Sequence, residues 1–341
     1  MKPLFAANLL IAPLVLCLAV PATAANITGA GSSFVEPVMA RWSADYNKIT
    51  GDQVNYQPNG SGAGIAAIKA GTVDFGASDQ PLGSAELATA GLIQFPIVIG
   101  GILPVINIAG VAPGQLHLTG ALLADILMGR VTKWNDPAIA KLNPRARLPD
   151  AAITVVHRAD GSGTTYNLTH YLSQVSPAWK SGPGEGKTVN WPANSIGGKQ
   201  NAGVAQAVKQ TANSIGYVEY AYVVENKMAY ALVANAAGRF VVPNAASFGA
   251  AAARAPWERA SDFNLMMTNA PGPNAWPITA STFVLAYKHP KADKAASSAA
   301  TMKFFHWALA KGQPQAAALN YVALPPALVG RVDSYLAANV K

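Results

Sequence analysis

The stretch ITVVHRADGSGTTYNLTHYL, residues 153–172, decides the fold class. Ile153 to His157 is a short run rich in β-branched and apolar residues, of strand length. Leu168, Tyr171, Leu172 and then Val175 recur at the three- and four-residue steps of one helix face. Between them, Arg158-Ala159-Asp160-Gly161-Ser162-Gly163-Thr164 is built from residues that turn a chain and start a helix. A strand that leads through such a loop straight into a helix is the working unit of an α/β architecture.

The same alternation extends in both directions. Gln53 to Tyr56, Val73 to Ala77, Ile215 to Val218 and Thr282 to Tyr287 read as further strands. Val35, Val38, Met39, Trp42, Tyr46 and Ile49 mark one face of a helix and are expected in the core. No tandem repeat occurs, and no biased tract is longer than the Ala-rich patch at 250–253. Two longer apolar stretches stand apart: Phe95 to Ile108, broken by Pro96, a glycine pair and Pro104, and Ala275 to Ala286, entered by Trp276-Pro277. They are expected to cross between two lobes as a two-strand hinge. On that reading residues 25–100 and 280–341 form one lobe and residues 101–279 the other.

Residues 1–24 stand outside this pattern. Lys2, the apolar stretch Leu9 to Val20 and the small-x-small Ala22-Thr23-Ala24 are the parts of a cleaved signal peptide. The apolar stretch falls short of the roughly 20 residues a membrane span needs. Export with cleavage near Ala24, to the periplasm, is expected. Cys17, the single cysteine, lies in this segment; bulky Leu16 before it fits lipid-anchor processing badly, so it reads as apolar filler. The mature chain then has neither a disulfide nor a thiolate metal site. Basic side chains number 25 against 17 acidic, which favours an anionic partner by steering, yet no basic run suits nucleic acid.

Four segments rich in Gly, Ser, Thr and Asp sit where strands give way to helices, the place where open α/β sheets gather ligands. In Gly29-Ala30-Gly31-Ser32-Ser33-Phe34, Ser33 and Glu36 have the spacing of a capping box, so the segment reads as a plain cap or as an anion-facing helix start. Gly60-Ser61-Gly62-Ala63-Gly64 is a glycine-rich turn with one hydroxyl, Ser61, and no Lys-Ser or Lys-Thr of a nucleotide loop behind it. Ser78-Asp79 ends a strand. In the fourth segment Arg158 can grip an oxyanion with two parallel hydrogen bonds, Asp160 can orient it, and Ser162, Gly163 and Thr164 add hydroxyls and amides.

Almost every group in this set is a donor, which suits an oxyanion. Asp79 is the exception, and it is tolerable only for a ligand that still carries a proton: phosphate does near neutral pH, sulfate does not. Leaving it unpaired would cost on the order of 10³-fold in affinity. The histidines at 117, 157, 170, 289 and 306 have no metal-ligand spacing, and no Gly-x-Ser-x-Gly elbow occurs. No catalytic residue, metal or cofactor is expected, and the chain is read as a binding protein. A phosphate-scavenging protein with phosphatase-like activity, or a binder of another oxyanion such as sulfate, are the rival readings.

At these residues the chain resembles the phosphate-specific binding proteins of bacterial ABC importers, the PstS family. The resemblance runs from Asn26 to about Asp333 through GAGSSF (29–34), VDFGASDQPL (73–82), QFPIVIGG (94–101), TKWNDPAIAKLNP (132–144), RADGSGTTY (158–166), IGYVEYAY (215–222) and WPITASTF (276–283). It implies a two-lobed, type II periplasmic-binding-protein fold that shuts on one phosphate and serves permease subunits in the membrane, with the protein acting as a monomer. The ligand positions it implies are Ser33, the Phe34 amide, Ser61, Asp79, Arg158, Asp160, Ser162, Gly163 and Thr164. Ser33 stands where relatives often carry Thr, and GSGAG has one Ser fewer than the common GSSGG form.

Overall fold

The structure, a computed structural model, describes residues 24–340. The proposed signal segment with Cys17 therefore lies outside the described residues up to Thr23. Ten strands carry the apolar runs: β1 (Asn26–Gly31), β2 (Gln53–Gln57), β3 (Phe75–Ser78), β4 (Leu92–Asn107), β5 (Leu116–Leu118), β6 (Thr154–Arg158), β7 (Ile196–Gly198), β8 (Ser214–Glu219), β9 (Ala229–Val233) and β10 (Thr279–Tyr287). Their order is β2-β1-β3-β10-β4-β8-β6-β7, with β9 also on β4 and β5 on β9. β1 is parallel to β2 and β3 at one end, and β6 is parallel to β7 and β8 at the other. This is a two-lobe α/β fold, and the antiparallel strands β10 and β4 join its halves.

β4 spans both halves. Its 16 residues are buried at every position except the last, as a strand covered on both faces must be, which explains its nearly unbroken apolar sequence. From Leu92 to Gly101 it pairs with β10; from Ile102 to Asn107 it pairs with β8. The exchange of partners falls just after the glycine pair. A side chain at Gly101 would meet the Phe248 ring at 2.1 Å, and one at Gly100 the Phe34 ring at 2.9 Å, so glycine lets aromatic rings close on the crossing. The returning chain runs beside it: the Ile102 amide donates to Ile278 O (2.8 Å), and the Trp276 indole to Ile102 O (3.0 Å). Beside Pro96, which has no N–H to offer, β4 bulges: Thr282 pairs with Val98 and Phe283 with Pro96, which leaves Ile97 as the extra residue.

Helix Glu36–Thr50 buries Val38, Met39, Trp42 and Tyr46, with Val35 just ahead of it. Ile49, expected on the same face, is 66% exposed instead. It belongs to the last turn, directly before Gly51 turns the chain with φ 80°. The Trp42 indole donates to Gly312 O (2.8 Å), tying this helix to the C-terminal segment. Helix Ala295–Ala310 presses Phe305 edge-on against Phe75 and Phe95, at 4.9 and 5.7 Å between ring centres. Among the described residues no helix is long and apolar enough to cross a membrane.

Candidate oxyanion site

All four Gly/Ser/Thr/Asp segments lie at the carboxyl ends of strands, after β1, β2, β3 and β6, and they meet at the junction of the two halves. The Gly62 amide of one half donates to Gly161 O of the other (2.8 Å). A side chain at Gly62 would stand 3.2 Å from Gly161 Cα, and one at Gly60, already at φ 97°, 2.4 Å from an Asp160 oxygen. Glycine is required here by close approach. The 60–64 segment is accordingly not the free turn its composition suggested: helix Ser61–Lys69 begins at Ser61 itself.

Arg158 ends β6 and is 4% exposed. Its Nε and Nη2 donate to the two oxygens of Asp160, at 2.8 and 2.5 Å, and its Nη1 to Thr164 Oγ1 at 3.3 Å. Asp160 also accepts the Gln200 amide (3.0 Å). Burial works against its charge, but the hydrogen bonds and charge of Arg158 outweigh burial and hold its pKa below the ordinary carboxylate value. A guanidinium has five N–H donors, so this arrangement leaves one on each terminal nitrogen for a ligand. The Arg158 amide in turn donates to Tyr217 OH (3.2 Å).

Helix Gly163–Val175 starts beside this arginine. Ser162 Oγ accepts the Thr165 amide (3.0 Å), and Ser162 O accepts the Tyr166 amide. The amides of Gly163 and Thr164 have no intrahelical acceptor, as the first N–H groups of any helix do not, and the positive end of the helix dipole lies there. A Cβ on Gly163 would lie 2.4 Å from Ser61 Oγ and 2.7 Å from Asp79 Oδ2, which measures how tightly the two halves converge.

Asp79 follows β3 and is 2% exposed. Its Oδ1 is filled by the hydroxyls of Ser32 (2.6 Å) and Thr282 (2.7 Å); its Oδ2 has only a long contact from Ser61 (3.4 Å). Oδ2 is therefore the oxygen with capacity left for a ligand's proton. Burial pushes the pKa of Asp79 up to about 6, against the hydroxyls of Ser32 and Thr282, the Arg158 charge and Ser61. Asn167 braces the residue from the other half by donating to Asp79 O (2.7 Å).

For Ser33 the plain-cap alternative is not realised. The capping box with Glu36 does not form: Val35 is the cap residue, with no side-chain cap bond. Ser33 Oγ instead accepts from both the amide and the side-chain Nδ2 of Asn201, each at 3.0 Å, and a distant partner has displaced the local one. The Phe34 amide is engaged by Ser32 Oγ at 3.0 Å, a two-residue hydroxyl turn.

The nine expected residues thus fall into three linked groups: Ser61, Asp79 and Gly163; Arg158, Asp160, Ser162 and Thr164; Ser33 and Phe34. Sequence reasoning missed Ser32, Asn167, Asn201 and Thr282. Thr282 had a signal, a hydroxyl in an apolar strand; it lies opposite the bulge of β4, and its hydroxyl reaches Asp79. Among the described residues no group of His, Cys, Asp and Glu could hold a metal ion.

A buried cage of donors, shared by two lobes, with Asp160 taken up by Arg158 and Asp79 the carboxylate that keeps an open oxygen, is suited to enclosing a small, protonated oxyanion. Fold and site together define a two-lobe binding protein, and a family model described as the PBP superfamily domain matches residues 19–311. The phosphate-binding protein PstS of Xylella fastidiosa is 55% identical over 316 residues, covering 93% of this chain and 86% of that one. The PstS protein of Pasteurella multocida is 49% identical over 333 residues, covering 98% and 96%. The solved structure of a phosphate-binding protein from Stenotrophomonas maltophilia, 21% identical, superposes with a TM-score of 0.68 over 91% of this chain and 93% of that one, a likeness of fold. The chain belongs to the PstS family of phosphate-binding proteins.

Proposed function

We propose that this protein binds one inorganic phosphate between its lobes and delivers it to the permease subunits of an ABC importer. The observation that carries the reading is Asp79: a buried carboxylate with one oxygen saturated and the other open, in a site whose remaining groups offer protons. Such a site matches an oxyanion that is both acceptor and donor. Phosphate is held by Ser33, the Phe34 amide, Ser61, Asp79, Arg158, Ser162, Gly163 and Thr164, with Asp160 orienting the arginine. The Phe34 amide, which donates to Ser32 Oγ, must be shared with the phosphate or released from Ser32 to it. The lobes are residues 25–100 with 280–341, and 101–279.

The chain acts in the periplasm as a monomer, after cleavage near Ala24, and needs no cofactor. It binds without turning over: the hydrogen bonds of Ser33, Ser61 and Ser162 involve no histidine that could activate a hydroxyl. Isothermal titration of the chain without residues 1–24 should give one phosphate per chain, with arsenate competing. Absence of phosphate binding in the micromolar range or tighter overturns the reading, and release of product from a chromogenic phosphoester overturns the non-enzymatic part.

A further inference from the structure

Asn201 opens helix Gln200–Gln210 in the second half of the molecule, and its side chain is fully buried. Its preceding residue, Gln200, has φ 62°, a left-handed conformation unusual for a residue other than glycine, and gives its amide to Asp160. The turn so formed points the Asn201 amide and side chain at the candidate site. Every polar group of Asn201 is used. Its Oδ1 accepts the Glu219 amide (3.0 Å), which fixes which end of the side-chain amide is oxygen. Its two side-chain N–H groups then go to Ser33 Oγ (3.0 Å) and Thr164 Oγ1 (3.4 Å), and its own backbone amide goes to Ser33 Oγ as well (3.0 Å).

A hydroxyl has one proton to give and two lone pairs to fill. Ser33 Oγ has both lone pairs filled by Asn201. Thr164 Oγ1 has them filled by Asn201 and Arg158 Nη1 (3.3 Å). Each hydroxyl is left with nothing to do but donate. Ser33 belongs to one half of the molecule and Thr164 to the other, so a single side chain sets the polarity of a ligand group on each. We propose that Asn201 is a positioning residue that turns Ser33 and Thr164 into obligatory donors toward the bound oxyanion, and that it latches the halves together while doing so. This rests on the phosphate-binding reading above, and specifies how two hydroxyls of the cage come to present only their protons.

The discriminating substitution is Asn201→Asp, which keeps the shape and reverses the hydrogen bonding. One carboxylate oxygen still takes the Glu219 amide, but the other now accepts from Ser33 and Thr164, turning their protons away from the ligand and adding a negative charge. Asn201→Ala merely releases both hydroxyls. Phosphate affinity should fall roughly tenfold in Asn201→Ala, the loss of a neutral hydrogen bond, and at least about a hundredfold in Asn201→Asp at pH 8. The Asp deficit, taken as a ratio to wild type at each pH, should shrink as pH falls and the new carboxyl regains a donor proton. The groups around Asn201 are the guanidinium of Arg158, which shares Thr164, and the carboxyls of Asp160, which holds the Gln200 amide, Glu219 and Asp79; all are present in both proteins, so the ratio to wild type sets their common contribution aside. In a Ser33→Ala background the penalty of either Asn201 substitution should be smaller than in wild type, because part of the effect acts through Ser33.

Equal affinities for Asn201→Asp and Asn201→Ala at pH 8, or a ratio independent of pH, overturn the inference. So do additive losses in the Ser33→Ala cycle, which decides the matter through Asn201→Ala if the Asp variant does not fold. Failure of wild type to bind phosphate is a different result, and overturns the functional reading first.

Discussion

Raising the pH from 6 to 8 with phosphate and sulfate in competition isolates the part played by Asp79. Its Oδ1 is saturated by Ser32 and Thr282, and its Oδ2 faces the junction with only Ser61 at 3.4 Å. Phosphate meets Oδ2 with a proton of its own in both ionisation states present in this range. Sulfate cannot, so it binds only to the fraction of molecules in which Asp79 has already taken a proton from water. With the pKa of Asp79 near 6, protonating it costs little at pH 6. At pH 8, two units higher, it costs about 3 kcal/mol, close to a hundredfold in affinity. The phosphate-to-sulfate preference should therefore grow about tenfold per pH unit above 6 and level off below. Asp79→Asn removes the titration: its amide can turn an N–H toward a sulfate oxygen, or its carbonyl toward the phosphate proton, and the preference should become small and independent of pH. Calorimetric titration of both proteins with both anions from pH 5 to 8 reads this directly. A wild-type preference that stays flat across that range, or equal affinities at pH 8, would refute the role assigned to Asp79.

Three other outcomes follow from the same geometry. Arg158→Ala, and Arg158→Lys as well, should weaken phosphate binding by about 2–5 kcal/mol, because the planar fork held by Asp160 and Thr164 has no ammonium equivalent; Asp160→Asn should cost less, and wild-type affinity in Arg158→Lys would remove Arg158 from the ligand set. Gly163→Ala places a methyl 2.4 Å from Ser61 Oγ and 2.7 Å from Asp79 Oδ2, so phosphate affinity should drop by a hundredfold or more while the ligand-free melting temperature changes little, since the halves can stay apart; binding within a few-fold of wild type would mean the halves do not converge there. Small-angle scattering should show a smaller radius of gyration with phosphate, as the ligand stabilises the state in which Gly62 reaches Gly161 and Asn201 reaches Ser33; an unchanged profile at saturation would contradict closure.

The parts of this structure that local chemistry dictates were legible in the sequence. Strand-end loops of Gly, Ser, Thr and Asp announce themselves by composition, and all four lie at the junction. The apolar run of Phe95 to Ile108 was legible as a crossing between the halves, and it lies in β4, which is buried on both faces and changes partner just after its glycine pair. What could not be read are contacts between residues far apart in the chain. Ser33 could be read as a cap as well as an anion contact because Glu36 is three residues on, but Asn201, which engages its hydroxyl from two directions, lies 168 residues away. Ser32, adjacent to the serine that was singled out, supplies Asp79, and only the fold distinguishes the two. The GSGAG segment misled through composition, since glycine permits a turn and close backbone packing alike, and here packing decides. Ile49 followed the periodicity of its helix but lies in the last turn, where it is exposed.

The most direct test of the whole account is a crystal structure of the mature chain grown with phosphate at pH 8. One phosphate should lie between the halves, with oxygens within hydrogen-bond distance of Arg158, Ser33, Ser61, Ser162, Thr164 and the Gly163 amide, and one oxygen in a short contact with Asp79 Oδ2 that only a shared proton allows. Phosphate found elsewhere, or seated with Asp79 Oδ2 turned away from it, would contradict the central claim.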